Sequence, residues 1–391
     1  MSKISLKDLD VKGKKVLMRV DFNVPLSDGK ITDDTRLRES LPSIQYILKN
    51  GGSVILMSHL GRPKGKKDPQ FSLKPCSDAL AKLLNHPVQF ATDCIGPEVE
   101  KKAQQLKPGD VLLLENLRFY SAEEEPEEDP SFAEKLSHLG DVYVNDAFGT
   151  AHRTHSSTAT IAKYFPAKAA VGFLMQKEIY VLTSILQHPK RPFFAIIGGA
   201  KISSKMGVLK ALLSKVDKLF VGGGMAYTFF KAEGIAIGNS LCEEELVSSV
   251  KPLLDKVILP VDVVIANAFS NDAQHKTIAA SAGIPDGWQG VDIGPKTARM
   301  WGEAFQKAAT IFWNGPVGVF EMPNFAKGTA EIAKSLAASH AKRIVGGGDS
   351  VAAIQKLKLA DGFTHLSTGG GASLEFIEYG RLPGIDALSD I

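Results

Sequence analysis

The chain has 391 residues, 44% of them hydrophobic and 23% charged, which is too long for one ordinary core and too apolar for a disordered or coiled-coil protein. Its net charge of only +3 does not point to a nucleic-acid partner, so any anion binding must come from local clusters. Three isolated cysteines, Cys76, Cys94 and Cys242, form no CxxC pair, exclude a disulfide framework or zinc site, and suit a reducing compartment.

The first ten residues are polar, which is unlike a signal peptide. No apolar run approaches the ~20 residues needed to span a bilayer. The expectation is a cytoplasmic protein with no membrane partner. Short apolar runs then recur, each followed by a longer helical pattern. In the first half they cover residues 15–20, 53–57, 111–114 and 141–145. In the second half they cover residues 193–197, 217–221, 261–265, 309–313 and 343–345. Continuous apolar strands alternating with amphipathic segments predict parallel sheet buried on both faces. The predicted fold class is therefore α/β, with two doubly wound parallel-sheet domains. Apolar residues at helical spacing over residues 173–187, ended by His188-Pro189, predict a linking helix. The domain bounds are residues 1–172 and 189–375, with the helix over 173–188.

Ligands of open α/β sheets bind beyond the carboxyl ends of the strands, so the residues just past each run carry the chemistry. Past the first come Asp21 and Asn23, in RVDFNVP (19–25), on a strand about to end. Past the second come His59 and Arg62, in SHLGRP (58–63). Past the third comes Arg118, in LENLRF (114–119). Past the fourth come His152 and Arg153, in NDAFGTAHR (145–153). Arg36 sits in a polar segment nearby. Arginine is planar, permanently charged and bidentate toward carboxylate and phosphate. Several at equivalent strand ends imply a small ligand with more than one anionic group. Taken singly, each arginine also fits a surface ion pair. Asp21 and Asn23 also fit turn formers before Pro25, and the histidines fit structural hydrogen bonds. The acidic run 123–129 reads as a solvated loop and helix start.

In the second half the strands end in glycine clusters: 198–199, 222–224, 315–318, 346–348 and 369–371. Glycines let backbone N–H groups approach a ligand and form anion nests. No Gly-Lys pair is followed by Ser or Thr, so there is no Walker A loop. The dinucleotide fingerprint fails too, because Tyr227 and Val351 stand at its third glycine. Lys201 and Lys205, four apart, are expected on one face of a helix opening after a strand. Cations there oppose the helix dipole, and a phosphate ligand accounts for them; two solvated lysines are the alternative. Asp349 is either a magnesium partner or a helix N-cap.

Eight segments, in order, resemble the phosphoglycerate kinase family: the four above, GGAKISSK (198–205), WNGPVGVFE (313–321), GGGDS (346–350) and STGGGASLE (367–375). The resemblance implies an active-site cleft between the two domains. It implies that Asp21, Phe22, Asn23, Arg36, His59, Leu60, Gly61, Arg62, Arg118 and Arg153 bind 3-phosphoglycerate. Gly199, Gly223 and Gly290 would border adenine, and Glu321 would contact the ribose. Lys201, Lys205, Gly347, Gly348, Asp349 and Ser350 would hold the nucleotide phosphates, Asp349 through Mg2+. Ser350 stands where family members usually carry Thr, and the hydroxyl survives. Arg36, Lys201, Lys205 and the backbone at Gly347 and Gly370 would stabilise the moving phosphoryl group. The resemblance also implies a tail, residues 376–391, returning to the first domain, and a monomer whose partners are 1,3-bisphosphoglycerate and ADP, or 3-phosphoglycerate and ATP. A nicotinamide dehydrogenase is the first rival and lacks its fingerprint. A non-enzymatic anion binder is the second and leaves the lysines and Asp349 without purpose.

Overall fold

The computed structural model describes residues 3–391. They fall into two compact units, the first holding the chain up to Tyr180 together with Arg381–Ile391, the second Val181–Gly380.

The first unit is built on strands β1 (Lys15–Arg19), β2 (Ser53–Met57), β3 (Gln89–Phe90), β4 (Val111–Leu113), β5 (Val142–Asn145) and β6 (Ala169–Val171). They form one parallel sheet in the order β3-β4-β2-β1-β5-β6. Val16, Met18, Val54 and Leu56 share a core with Leu37, Ile44 and Ile47 of the helix Thr35–Lys49. Leu17, Ile55, Leu112 and Tyr143 alternate with them and are equally buried. Both sheet faces are therefore covered, which is why the strands read as unbroken apolar runs. The edge strands β3 and β6 escape that reading because one has two residues and the other is Ala-Ala-Val. Residues near both ends of the chain add to this unit. Ile4 N–H donates to Ser389 O at 3.0 Å, Ser389 N–H to Ala169 O at 2.9 Å, and Gly384 N–H to Ala151 O at 2.8 Å.

The helix Phe173–Gln187 stands where its periodicity predicts, and the division between the units falls inside it. In the second unit come β7 (Phe193–Ile197), β8 (Lys218–Val221), β9 (Asp262–Ala266), β10 (His275–Ala279), β11 (Gln289–Ile293), β12 (Thr310–Asn314), β13 (Lys342–Gly346) and β14 (His365–Leu366). Five make a parallel sheet, β8-β7-β12-β13-β14. The run 261–265 does not belong to it. As β9 it pairs antiparallel with β10 and β11 in a separate three-stranded sheet. Apolarity marks a buried strand but not the direction of its partners, and β10 is mostly exposed.

Candidate active site

In the first unit β1 ends at Arg19 and the chain turns. Asp21 accepts the Asn23 N–H at 3.1 Å, so it does form the turn. It also forms an ion pair with Arg36, in the first turn of the helix Thr35–Lys49. Asn23 accepts the Gly61 N–H at 2.9 Å, and Arg118 donates to Gly61 O at 3.0 Å. The loop after β2 is thus held from both sides. Phe22 and Leu60 turn their side chains into the core, so only their backbone is available at the strand ends. Arg62 and Arg153 are exposed and make no ion pair among the described residues, which removes the surface-pair reading for these two. Arg118 pairs with Glu124 at 3.1 Å, yet its Nε is buried without a partner.

Electrostatics tie the cluster together. Burial works against the Asp21 carboxylate, but Arg36, His59 and Arg19 outweigh it and hold its pKa below the ordinary range. Burial, and then Arg153, lower His152 to about 4. Burial, and then Arg19, Arg118 and Arg153, lower His155 to about 3. His155 therefore senses three arginines at once. Among the described residues no ion pair ties Arg62 to this group.

Arg19 escaped the sequence reading. It is fully buried, and its Nε donates to Ser157 Oγ at 2.7 Å. Its Nη2 lies 3.1 Å from His59 Nδ1 and 3.8 Å from Glu123 Oε1. Glu123 corrects the reading of the acidic run as solvated: it is completely buried and accepts from Ser157 Oγ at 2.6 Å. Nothing in a run of glutamates marks which member turns inward.

In the second unit Gly199, Gly223, Gly290, Glu321 and Asp349 line one cavity of about 420 Å³. Tyr227, Leu241, Phe269, Val317 and Val319 make its walls apolar, and Asn239 and Gln289 add polar groups. Apolar walls with a few polar groups suit a flat heterocycle with hydrogen-bonding edges. The loops beneath it approach closely. A Cβ on Gly223 would lie 2.7 Å from Gly199 O, and one on Gly315 2.1 Å from Gly198 O, with φ +74° and +90°. Only glycine fits both the space and the dihedral.

Lys201 and Lys205 are not on one helical face. Residues 201–205 form a turn, and the helix Met206–Leu213 opens after Lys205 as its N-cap. Ser203 anchors the turn by donating its N–H and Oγ–H to Glu243, at 2.9 and 2.5 Å. Lys201 is exposed. Lys205 is half-buried, bonds Asn314 Oδ1 at the end of β12, and has its pKa lowered by burial despite the opposing pull of Asp349. Asn314 is fully buried and its Nδ2 has no partner. The motif contained it, but its role shows only in this geometry. Asp349 is not the N-cap of the helix Gly348–Lys356; Gly347 is, and Asp349 lies exposed in the first turn. Ser350 Oγ accepts the Gly315 N–H at 2.7 Å, joining two glycine loops. Gly370 is the N-cap of the helix Gly371–Tyr379.

No helix among the described residues is long and apolar enough to cross a membrane. Residues 6–380 match the family profile described as "Phosphoglycerate kinase". A phosphoglycerate kinase of Moorella thermoacetica is 54% identical over the whole of both chains. A cytosolic phosphoglycerate kinase of Triticum aestivum is 53% identical over 99% of this chain and 98% of its own. The solved phosphoglycerate kinase of Coxiella burnetii superposes with a TM-score of 0.85 at 39% identity, over 98% of each chain. With similarity running end to end, through both the arginine-bearing unit and the glycine-loop unit, the chain belongs to the phosphoglycerate kinase family.

Proposed function

We propose that this chain catalyses the reversible, Mg2+-dependent transfer of a phosphoryl group between 1,3-bisphosphoglycerate and ADP, yielding 3-phosphoglycerate and ATP, in glycolysis and gluconeogenesis. The observation that carries the nucleotide half is the cavity bordered by Gly199, Gly223 and Gly290, with Glu321 and Asp349 on its lining. The arginine cluster carries the other half, since the ligand has both a phosphate and a carboxylate. Arg36, Arg118 and Arg153, helped by Arg62, bind its anionic groups, while Asp21 and Asn23 hold the surrounding loops and meet its hydroxyl.

Phosphoryl transfer needs in-line positioning and charge neutralisation more than covalent help. The carboxylate oxygen of 3-phosphoglycerate and the β-phosphate oxygen of ADP flank the moving group. Lys201, Arg36 and backbone N–H groups at Gly347 and Gly370 stabilise its equatorial oxygens, and Lys205 holds the nucleotide phosphates. Asp349 suits Mg2+ arriving on the nucleotide. It is a single exposed carboxylate, no cluster of three metal-binding side chains exists among the described residues, and Mg2+ commonly keeps several waters beside one or two carboxylates. When bound, the ion would neutralise phosphate charge. The two ligands belong to different units, so reaction entails hinge closure around the helix Phe173–Gln187, which also excludes water as a competing acceptor. One chain supplies both ligand sites, in keeping with a monomer. Relatives named cytosolic favour the cytoplasm.

A coupled assay with 3-phosphoglycerate, ATP and Mg2+ tests the reading. Turnover that requires all three supports it. A folded protein with no turnover overturns it.

A further inference from the structure

We infer that Arg19 is a positioning residue that fixes His59 as the neutral imidazole carrying its proton on Nε2, aimed at an oxygen of the bound triose phosphate. The inference rests on the proposed substrate site.

The tautomer follows from hydrogen-bond inventory. A guanidinium has donors only and does not lose its proton. Arg19 Nη2 lies 3.1 Å from His59 Nδ1, so Nδ1 must accept. An imidazolium would bring two donors face to face there. The ring proton therefore sits on Nε2. Among the described residues Nε2 has no protein acceptor, and it is not one of the side-chain atoms sealed from solvent without a partner. His59 is 3% exposed, and this edge is its remaining polar outlet.

The guanidinium is itself locked. Ser157 Oγ accepts from Arg19 Nε at 2.7 Å and must therefore send its own proton to Glu123 Oε1, 2.6 Å away. Ser157 N–H donates to Glu123 Oε2 at 3.1 Å, and Arg19 Nη1 donates to Val20 O. Every partner is buried, so moving Arg19 out of this arrangement would strand buried polar groups. The other charges facing His59 are Asp21, Arg118 and Arg36. Burial depresses its pKa most strongly, Asp21 opposes this, and the arginines reinforce it. A neutral donor fixed in direction can bind an anionic oxygen without adding a further charge beside three arginines.

The experiment begins with long-range 1H–15N spectra of wild-type histidines. The expected result is His59 protonated on Nε2 at pH 7, with its resonances moved by 3-phosphoglycerate. The second arm is the double variant Arg19→Met/Glu123→Gln, which removes the donor to His59 without stranding a buried carboxylate. If folded by circular dichroism, it should show mixed His59 tautomers and about tenfold weaker binding of 3-phosphoglycerate, with ATP affinity unchanged. His59→Gln, which keeps a donor near Nε2, should bind better than His59→Ala, and this comparison decides if the double variant does not fold. A wild-type proton on Nδ1, or a folded double variant with wild-type tautomer and affinity, overturns the inference alone. Resonances unmoved by saturating 3-phosphoglycerate overturn the placement of His59 in the substrate site, and the inference with it.

Discussion

Lys201 and Lys205 differ in what restrains them, and their variants should differ accordingly. Lys205 is held against Asn314 and partly buried, so it belongs to the resting site. Lys201 is exposed and makes no ion pair among the described residues, which leaves it free to reach the group that the proposed reaction moves. Contacts made mainly in the transition state affect kcat and kcat/KM together. Lys201→Ala should therefore lower kcat far more than ground-state affinity, while Lys205→Ala should lose a larger share in nucleotide binding. Steady-state kinetics with melting temperatures as control decide; wild-type kcat with a raised nucleotide KM for Lys201→Ala would make it a mere anchor. Asp349→Asn should keep the fold, since Gly347 and not Asp349 caps the helix, but lose most Mg2+-dependent turnover. Activity titrated against Mg2+ checks this, and a wild-type curve would remove the metal role.

At the scale of elements, the glycine loops depend on mutual approach. Gly315→Ala would place a methyl 2.1 Å from Gly198 O at a φ of +90°. We expect about 2–4 kcal/mol of lost stability and weaker ATP binding, read by denaturant unfolding and calorimetry. A stable variant with intact ATP affinity would mean that the loops do not need this junction. The parallel strands were readable because burial on two faces leaves no polar alternation to hide them. Strand direction was not, as β9 shows. Of the site, Arg118 and Arg153 could be chosen by their place after strands, while Arg36 stood out only as a cation in a polar segment nearby. Arg19 and Glu123 could not, because a buried ion pair spanning about a hundred positions leaves no local periodicity. The spacing of Lys201 and Lys205 suggested a helix, but Ser203 and Glu243 impose a turn.

At the scale of the molecule, the proposed function divides ligand duties between the units. Arg153→Ala should weaken 3-phosphoglycerate binding by about 1.5–3 kcal/mol and leave nucleotide affinity nearly intact. Calorimetric titration of both ligands checks this, and equal losses would refute the division. Acid sensitivity is also written into the first unit. His152 and His155 titrate near 4 and 3 when folded, below the ordinary 6.5. Between these values the unfolded chain binds more protons, so their contribution is full above pH 6.5 and is lost as pH falls. Asp146, raised by burial to about 6, acts with opposite sign over part of that window. His155→Gln should flatten the acid-side slope by up to about 1.4 kcal/mol per pH unit between pH 6 and 4, measured by denaturant titrations. An unchanged slope would show that His155 protonates freely in the native state. The hydrogen bonds of Gly384 and Ser389 to Ala151 and Ala169 carry a consequence for biosynthesis. Because Arg381–Ile391 belongs to the first unit while Val181–Gly380 does not, a ribosome makes the whole second unit before the first unit receives its last segment. The part begun first is completed last, and residues 1–180 produced alone should be an unfinished body that a synthetic peptide of residues 381–391 stabilises in trans.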